Sequence, residues 1–258
     1  MSIMDEANME TVAPCIKRSA DDVPRHGPTL SALRRLSLFR GLSAPELALL
    51  AAGTTPVSFA LGAQLYGKGK RSPGLYALLS GRVALRVGEP GAEGKVVAIV
   101  SPGGYIGLAA TALGAPQAFA AEALVESKLL LISRDALLEF AAADAQFGMR
   151  LVMMLSREVC TLTADIEAFA LHLGRERVAS YLLQIAETDA PVTLPAKKSI
   201  IASRLSVTPE YFSRMLHDFI STGAIAVKGS QITVLNRALL RVACSSVAAE
   251  NGKRLPAV

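Results

Sequence analysis

The chain of 258 residues has no tryptophan, three cysteines and three histidines, and aromatic side chains make up 5% of it. Cys15, Cys160 and Cys244 lie far apart with no C-x-x-C spacing, so neither a disulfide framework nor a structural zinc site is expected. No apolar run reaches the ~18 residues of a membrane span. The amino-terminal stretch lacks a basic segment followed by an apolar one, so no secretory signal is expected, and a soluble, cytoplasmic protein follows. Nor does the sequence offer a nucleophile with its base, a metal-ligand cluster or a phosphate-binding loop, and the chain is not expected to be an enzyme. What remains is 51% hydrophobic, enough for two modest domains and a linker.

Charge is scarce and unevenly placed. The chain carries a net +5, and from Gly174 onward there are 11 Lys and Arg against 6 Asp and Glu. The first 173 residues hold 16 of each sign, so the whole excess of positive charge falls on the carboxy-terminal third. A polyanion-binding module would be charged in this way.

Within that third, Phe212, Met215, Leu216 and Phe219 recur at i, i+3, i+4 and i+7, which predicts a helix with one apolar face. Glu210, Ser213 and Arg214 keep the same spacing on another face. Thr208 suits the N-cap, and Pro209 suits the first helical position, where a missing N–H costs nothing. Before it, Ile200, Ile201, Ala202 and Leu205 predict a shorter helix, and Ser206-Val207 leave room for a tight turn only. Two helices joined so closely form a helix-turn-helix. Ile225–Val227 and Gln231–Leu235 around Lys228-Gly229-Ser230 predict a β-hairpin, a wing with Lys228 at its tip.

The rest divides by its periods. Met1 to about Pro28 is polar and aperiodic, a flexible extension. Leu30, Leu33 and Leu36 have helical spacing, and Ser43 with Glu46 makes a capping box for a second short helix. From Val57 to about Ile132, short β-rich runs alternate with glycine turns every 8–12 residues, the pattern of a sandwich or barrel. Ala136–Ala143 predicts a closing helix. A long helix from Ala145 then carries Val152, Val159, Ile166 and Leu173 every seven residues, with Leu155, Leu162 and Phe169 offset by three. That is the a/d seam of a dimer, and Gly174 is expected to end the helix as its C′ glycine.

Val192–Leu240 resembles the winged helix of the CRP/FNR family of bacterial transcription regulators, and Thr208–Arg214 resembles the Glu-x-x-Ser-Arg recognition helix of its FNR/DNR-like branches. Phe39–Ser43 and Leu79–Val83 are similar to the family's sensor domain. The resemblance implies an α+β chain. It comprises an extension (1–28), a β-roll sensor domain (29–143), a dimerisation helix (144–173), a winged helix-turn-helix (174–245) and a tail (246–258). It implies a homodimer that binds a TTGAT-N4-ATCAA-like palindrome on double-stranded DNA, as an activator partnered by RNA polymerase. Arg214 could pair with guanine O6 and N7, Glu210 could accept from cytosine N4, and Ser213 could touch a base or a phosphate. Thr208, Pro209 and Tyr211 complete that helix end, and Lys197, Lys198 and Lys228 would touch phosphate. In the free protein Glu210 and Arg214 could form an i,i+4 ion pair.

The sensor segment departs from the family's cyclic-nucleotide pattern. The stretch Gly104, Tyr105, Ile106, Gly107, Leu108 has Leu108 where the family's Glu stands, and Ala118 and Phe119 replace its Arg-Ser. A buried phosphate without Arg lacks a charge-assisted partner, so cyclic AMP is not expected. An iron–sulfur cluster would have Cys15 alone at the amino terminus and is not expected either. The apolar pocket around Gly104–Leu108 and Phe119 suits a haem, another hydrophobic ligand or none. The histidines are His26, His172 and His217; His217 lies within the recognition helix, leaving His172 and Cys15 as conceivable haem ligands. A haem-based, nitric-oxide-responsive sensor is therefore the alternative function.

Overall fold

The structure, a computed structural model, describes residues 26–88, 94–186 and 190–244. The expected extension to residue 25, Cys15 and the tail beyond residue 244 lie outside the described residues. Helix α1 (His26–Arg35) leads through a 3-10 turn at Ser37–Phe39 into α2 (Ala44–Ala52). The Glu46 carboxylate accepts from both the Ser43 N–H and its hydroxyl at 2.6 Å. Those two bonds hold the Glu46 carboxyl below its usual pKa.

Eight strands follow among the described residues: β1 (Thr54–Phe59), β2 (Gln64–Tyr66), β3 (Gly74–Ser80), β4 (Val83–Val87), β5 (Lys95–Val100), β6 (Tyr105–Ile106), β7 (Ala120–Ala123) and β8 (Ser127–Ser133). They form two antiparallel sheets, ordered β1-β8-β3-β6 and β2-β7-β4-β5. This is the expected β-roll. Strand β3 is apolar on both faces because it lies between two cores. Leu75 and Ala77 pack against Phe39, Leu50 and Phe140 of the helices, while Tyr76 and Leu78 meet Val83 and Ile106 inside the roll. The turn before β4 needs Gly81, at φ +101, because a Cβ there would lie 2.6 Å from the Ser127 Cα. Within the roll, α3 (Leu108–Leu113), opened by Gly107 at φ +85, was not expected from the sequence.

Helix α4 (Arg134–Ala143) closes the roll, and the 27-residue α5 (Ala145–Leu171) starts on Asp144, which accepts from the Gln146 N–H. Its first turn is anchored by Phe147, stacked 5.8 Å from Phe39 and edge-on to Phe140 at 4.9 Å. The helix does not end on a C′ glycine. It stops at Leu171 with His172 extended, and Gly174 instead opens α6 (Gly174–Ile185).

After α6 come β9 (Val192–Thr193), α7 (Lys198–Arg204), α8 (Pro209–Ser221), β10 (Ile225–Lys228), β11 (Gln231–Val234) and α9 (Arg237–Cys244). The three strands form one sheet, ordered β10-β11-β9. Val178, Leu182, Ile201, Phe212, Phe219 and Ile232 share one core. Helix α9, which the sequence did not announce, packs Leu240 and Ala243 into the same core.

Candidate nucleic-acid interface and sensor pocket

Helix α8 has the two faces that its sequence requires. Phe212, Met215, Leu216 and Phe219 are buried, while Thr208, Pro209, Glu210, Ser213 and Arg214 are exposed. The Thr208 hydroxyl accepts from the Tyr211 N–H at 3.1 Å, one of the orphan donors of the first turn. Helix α7 reaches α8 through Ser206, at φ +55 the one non-glycine residue with positive φ among the described residues. Both helices pack tightly around Ala202, which is fully buried.

Arg214 does not turn toward Glu210. Its guanidinium lies over the Tyr211 ring, 5.0 Å from the centroid. Tyr211 is half-buried, and its ring rests on Gly174. Lys197 and Lys198 are exposed at the start of α7, and Lys228 is exposed beside Gly229, which turns the hairpin at φ +62. Thus the sequence-nominated basic residues sit on three separate exposed elements around one core.

The helix-turn-helix also touches the sensor domain. The backbone N–H of Val96, on the edge strand β5, donates to Ser203 Oγ of α7 at 2.9 Å. Next to it, Arg204 pairs with Asp165 of α5 at 2.5 Å. Lys95 Nζ sits 4.4 Å from the centre of the Phe169 ring. Burial, then Arg204 and Arg177, hold the Lys95 amine below its usual pKa, against the pull of Asp165. Arg177 of α6 ties the same corner by donating to the carbonyls of Leu205 (2.8 Å) and Ser206 (3.2 Å). A cavity of about 290 Å³ remains inside this joint. Burial pushes the Tyr181 phenol at its wall up to about 12, with Arg204 acting in the opposite direction.

The α5 seam is divided between partners. Val152, Val159, Ile166 and Leu173 are exposed, as is Leu162. Leu155 packs into the helix-side core, and Phe169 lies beneath Lys95 and Arg177. Two of the seven seam residues therefore already have partners within the chain, and Leu173, expected on the same helix, lies beyond its end at Leu171, where extended His172 breaks the helical spacing.

The sensor pocket measures about 180 Å³ and lies between the roll and α5. Of the residues nominated from sequence, Tyr105, Gly107, Leu108 and Phe119 line it. Gly104 and Ile106 do not; Ile106 points into the roll's core, because side chains alternate along β6. The fold adds Tyr66, Gln117, Met154 and Glu158, from stretches that sequence spacing could not have joined.

A β-roll joined by a long helix to a winged helix-turn-helix with a solvated polar face defines a two-domain DNA-binding regulator. Residues 56–144 match the cyclic nucleotide-binding domain, and residues 176–243 match the Crp-like helix-turn-helix domain. The chain belongs to the CRP/FNR family of transcription regulators. It is 28% identical over 217 residues to the nitrogen fixation regulation protein FixK of Azorhizobium caulinodans, covering 78% of this chain and 86% of that one. It is 23% identical over 209 residues to the CRP-like cAMP-activated global transcriptional regulator of Mycobacterium tuberculosis, covering 78% and 93%. Among solved structures, FixK2 of Bradyrhizobium japonicum superposes with a TM-score of 0.68 at 25% identity, covering 73% of this chain and 96% of that one.

The pocket does not fit the ligand that its domain is named for. Among the described residues that line it there is no Lys or Arg, and the one charged group is the Glu158 carboxylate. A cyclic phosphate would meet repulsion in place of a partner. Haem fits no better: the space is too small for a porphyrin, and neither His172 nor His217 lines it. No group of three or more His, Cys, Asp and Glu that could hold a metal occurs among the described residues, and no described helix is long and apolar enough to cross a membrane.

Proposed function

We propose that two copies of this chain bind a palindrome of the TTGAT-N4-ATCAA type, with the β-roll controlling how the two α8 helices are presented. The observation that carries this reading is α8 itself. It is a capped helix whose exposed first turns hold Glu210, Ser213 and Arg214, while its other face is locked into the core. The amino-terminal residues of a recognition helix are the ones that reach base edges in the major groove. Arg214 then pairs with guanine and Glu210 with the cytosine of one G·C pair, while Lys197, Lys198 and Lys228 contact phosphate and carry the salt dependence.

Dimerisation follows from the exposed row on α5. Val159 and Ile166 are 61% and 68% exposed, and Val152 and Leu162 extend the same apolar stripe. A stripe of period seven on a single helix is satisfied by the same stripe on a second copy, and a two-fold protein matches a two-fold site about 34 Å in repeat. Control by the sensor domain works through the joint at Val96–Ser203 and Asp165–Arg204, which ties the helix-turn-helix to both the roll and α5.

The test is fluorescence anisotropy with the labelled palindrome and a scrambled duplex of equal composition, together with sedimentation of the free protein. Preference for the palindrome with two protomers bound supports the reading. Equal affinity for both duplexes, or a single bound protomer, contradicts it.

A further inference from the structure

We propose that the sensor pocket takes a small uncharged or cationic molecule bearing a hydrogen-bond acceptor for Gln117, and rejects anions. This rests on the reading of the β-roll as a sensor, and it names the chemistry of the ligand. Gln117 is 3% exposed, and its Nε2 has no hydrogen-bond partner among the described residues. The amide is held in place from two sides. Its backbone bonds the 67–70 turn, donating to Lys70 O and accepting from the Gly69 N–H. Its side chain lies against the bare Cα of Gly107, where a Cβ would come within 2.8 Å of Nε2. A fixed, buried, unused donor in a pocket wall is a group that a ligand's acceptor can complete.

The rest of the wall sets the ligand's character. Leu85, Leu108 and Phe119 are apolar, and the Tyr66 hydroxyl is held well above its ordinary pKa by burial, with Tyr76 and Glu158 adding to the shift. Glu158 stands at the solvent-exposed mouth on α5. With one carboxylate and no cation among the described residues around the cavity, an anion is repelled on entry and meets no opposite charge on arrival. A volume of about 180 Å³ is close to the ~150 Å³ of a cavity that accepts benzene, so a single substituted ring is the right scale. Because Met154 and Glu158 belong to α5, such a ligand touches the helix that carries the dimer stripe.

Three probes share one ring and an acceptor oxygen and differ in charge: benzamide, 4-(aminomethyl)benzamide as its ammonium ion, and benzoate. Titrated into the full-length protein without DNA and followed by ligand-observed NMR, benzamide and its ammonium derivative are expected to saturate in the millimolar range. Benzoate is expected to bind about fivefold to tenfold more weakly, the scale of one partly screened charge. Gln117→Leu should weaken benzamide about tenfold, as the loss of one hydrogen bond in an apolar site. Glu158→Gln, at an exposed position that the fold tolerates, should narrow the gap between benzoate and benzamide. Benzoate binding wild type as tightly as benzamide, or no saturable binding of any probe, overturns the proposal. Palindrome affinity measured with and without benzamide separates the two readings. Unchanged affinity counts against sensor control of DNA binding and leaves the ligand class standing.

Discussion

Tyr211 lays its ring on Gly174, so closely that a Cβ on Gly174 would stand 2.9 Å from Cε1. The first residue of α6 is therefore packed against the recognition helix, and the Arg214 guanidinium lies over that same ring. Gly174→Ala forces the ring to move and takes the Arg214 guanidinium with it. Removing glycine from a helix normally stabilises by about 0.5–1 kcal/mol, which offsets part of the cost of the clash. The expected outcome is a fold within about 1 kcal/mol of wild type, but with reduced discrimination at the base pair that Arg214 reads. Thermal denaturation beside anisotropy checks this; unchanged discrimination would mean that the ring does not orient Arg214.

The joint between roll and helix-turn-helix is open to a simple test. Ser203→Ala leaves the N–H of buried Val96 without its acceptor, which costs about 1–3 kcal/mol for an unsatisfied buried donor. Hydrogen exchange at the Val96 amide should accelerate while amides in the core of β3 stay protected. The Arg204–Asp165 pair is part-exposed, so a double-mutant cycle should return a coupling of only about 0.2–1 kcal/mol.

Charge placed on α5 should act differently at two positions of one heptad pattern. Leu162 is exposed, and Leu162→Glu puts like charges across a dimer seam and should shift sedimentation toward the monomer. Phe169 is covered by Lys95 and Arg177 of its own chain, so Phe169→Glu meets two cations and should leave association largely intact while altering the joint. Both variants remaining dimeric would place the interface elsewhere.

Cyclic AMP should give no saturable heat in the micromolar range by calorimetry, because the described pocket wall offers its phosphate no cation. Saturable micromolar binding would contradict the chemistry assigned to the wall.

Local signals were legible where one short stretch decides the outcome. Thr208-Pro209 announced the start of α8, Ser43 and Glu46 the capped start of α2, and the glycine punctuation most strands of the roll. Signals that depend on a distant partner were not. Gly174 looked like the end of a helix because nothing nearby in sequence reveals the Tyr211 ring, 37 positions on, that occupies the space of its side chain. The heptad of α5 leaves Val152, Val159, Leu162 and Ile166 exposed, yet Leu155 and Phe169 are claimed by other parts of the same chain and Leu173 lies beyond the end of the helix. Gln117 and Glu158 reach one pocket from β-roll and helix, a pairing that only the folded chain makes. Helix α9 went unannounced although Asn236 marks its start, its Oδ1 accepting from the Ala238 and Leu239 N–H groups; its buried face rests on Leu240 and Ala243 alone.

The most direct measurement sets Arg214→Ala and Lys228→Ala against the palindrome and against a palindrome with its G·C pairs swapped. Arg214→Ala should lose about 1–3 kcal/mol per half-site on the original sequence and discriminate poorly between the two. Lys228→Ala should weaken both sequences alike and reduce the salt slope by about one unit for each phosphate that the lysine no longer neutralises. If Arg214→Ala still prefers the original palindrome as strongly as wild type does, Arg214 does not read that base pair and the assignment of α8 is wrong.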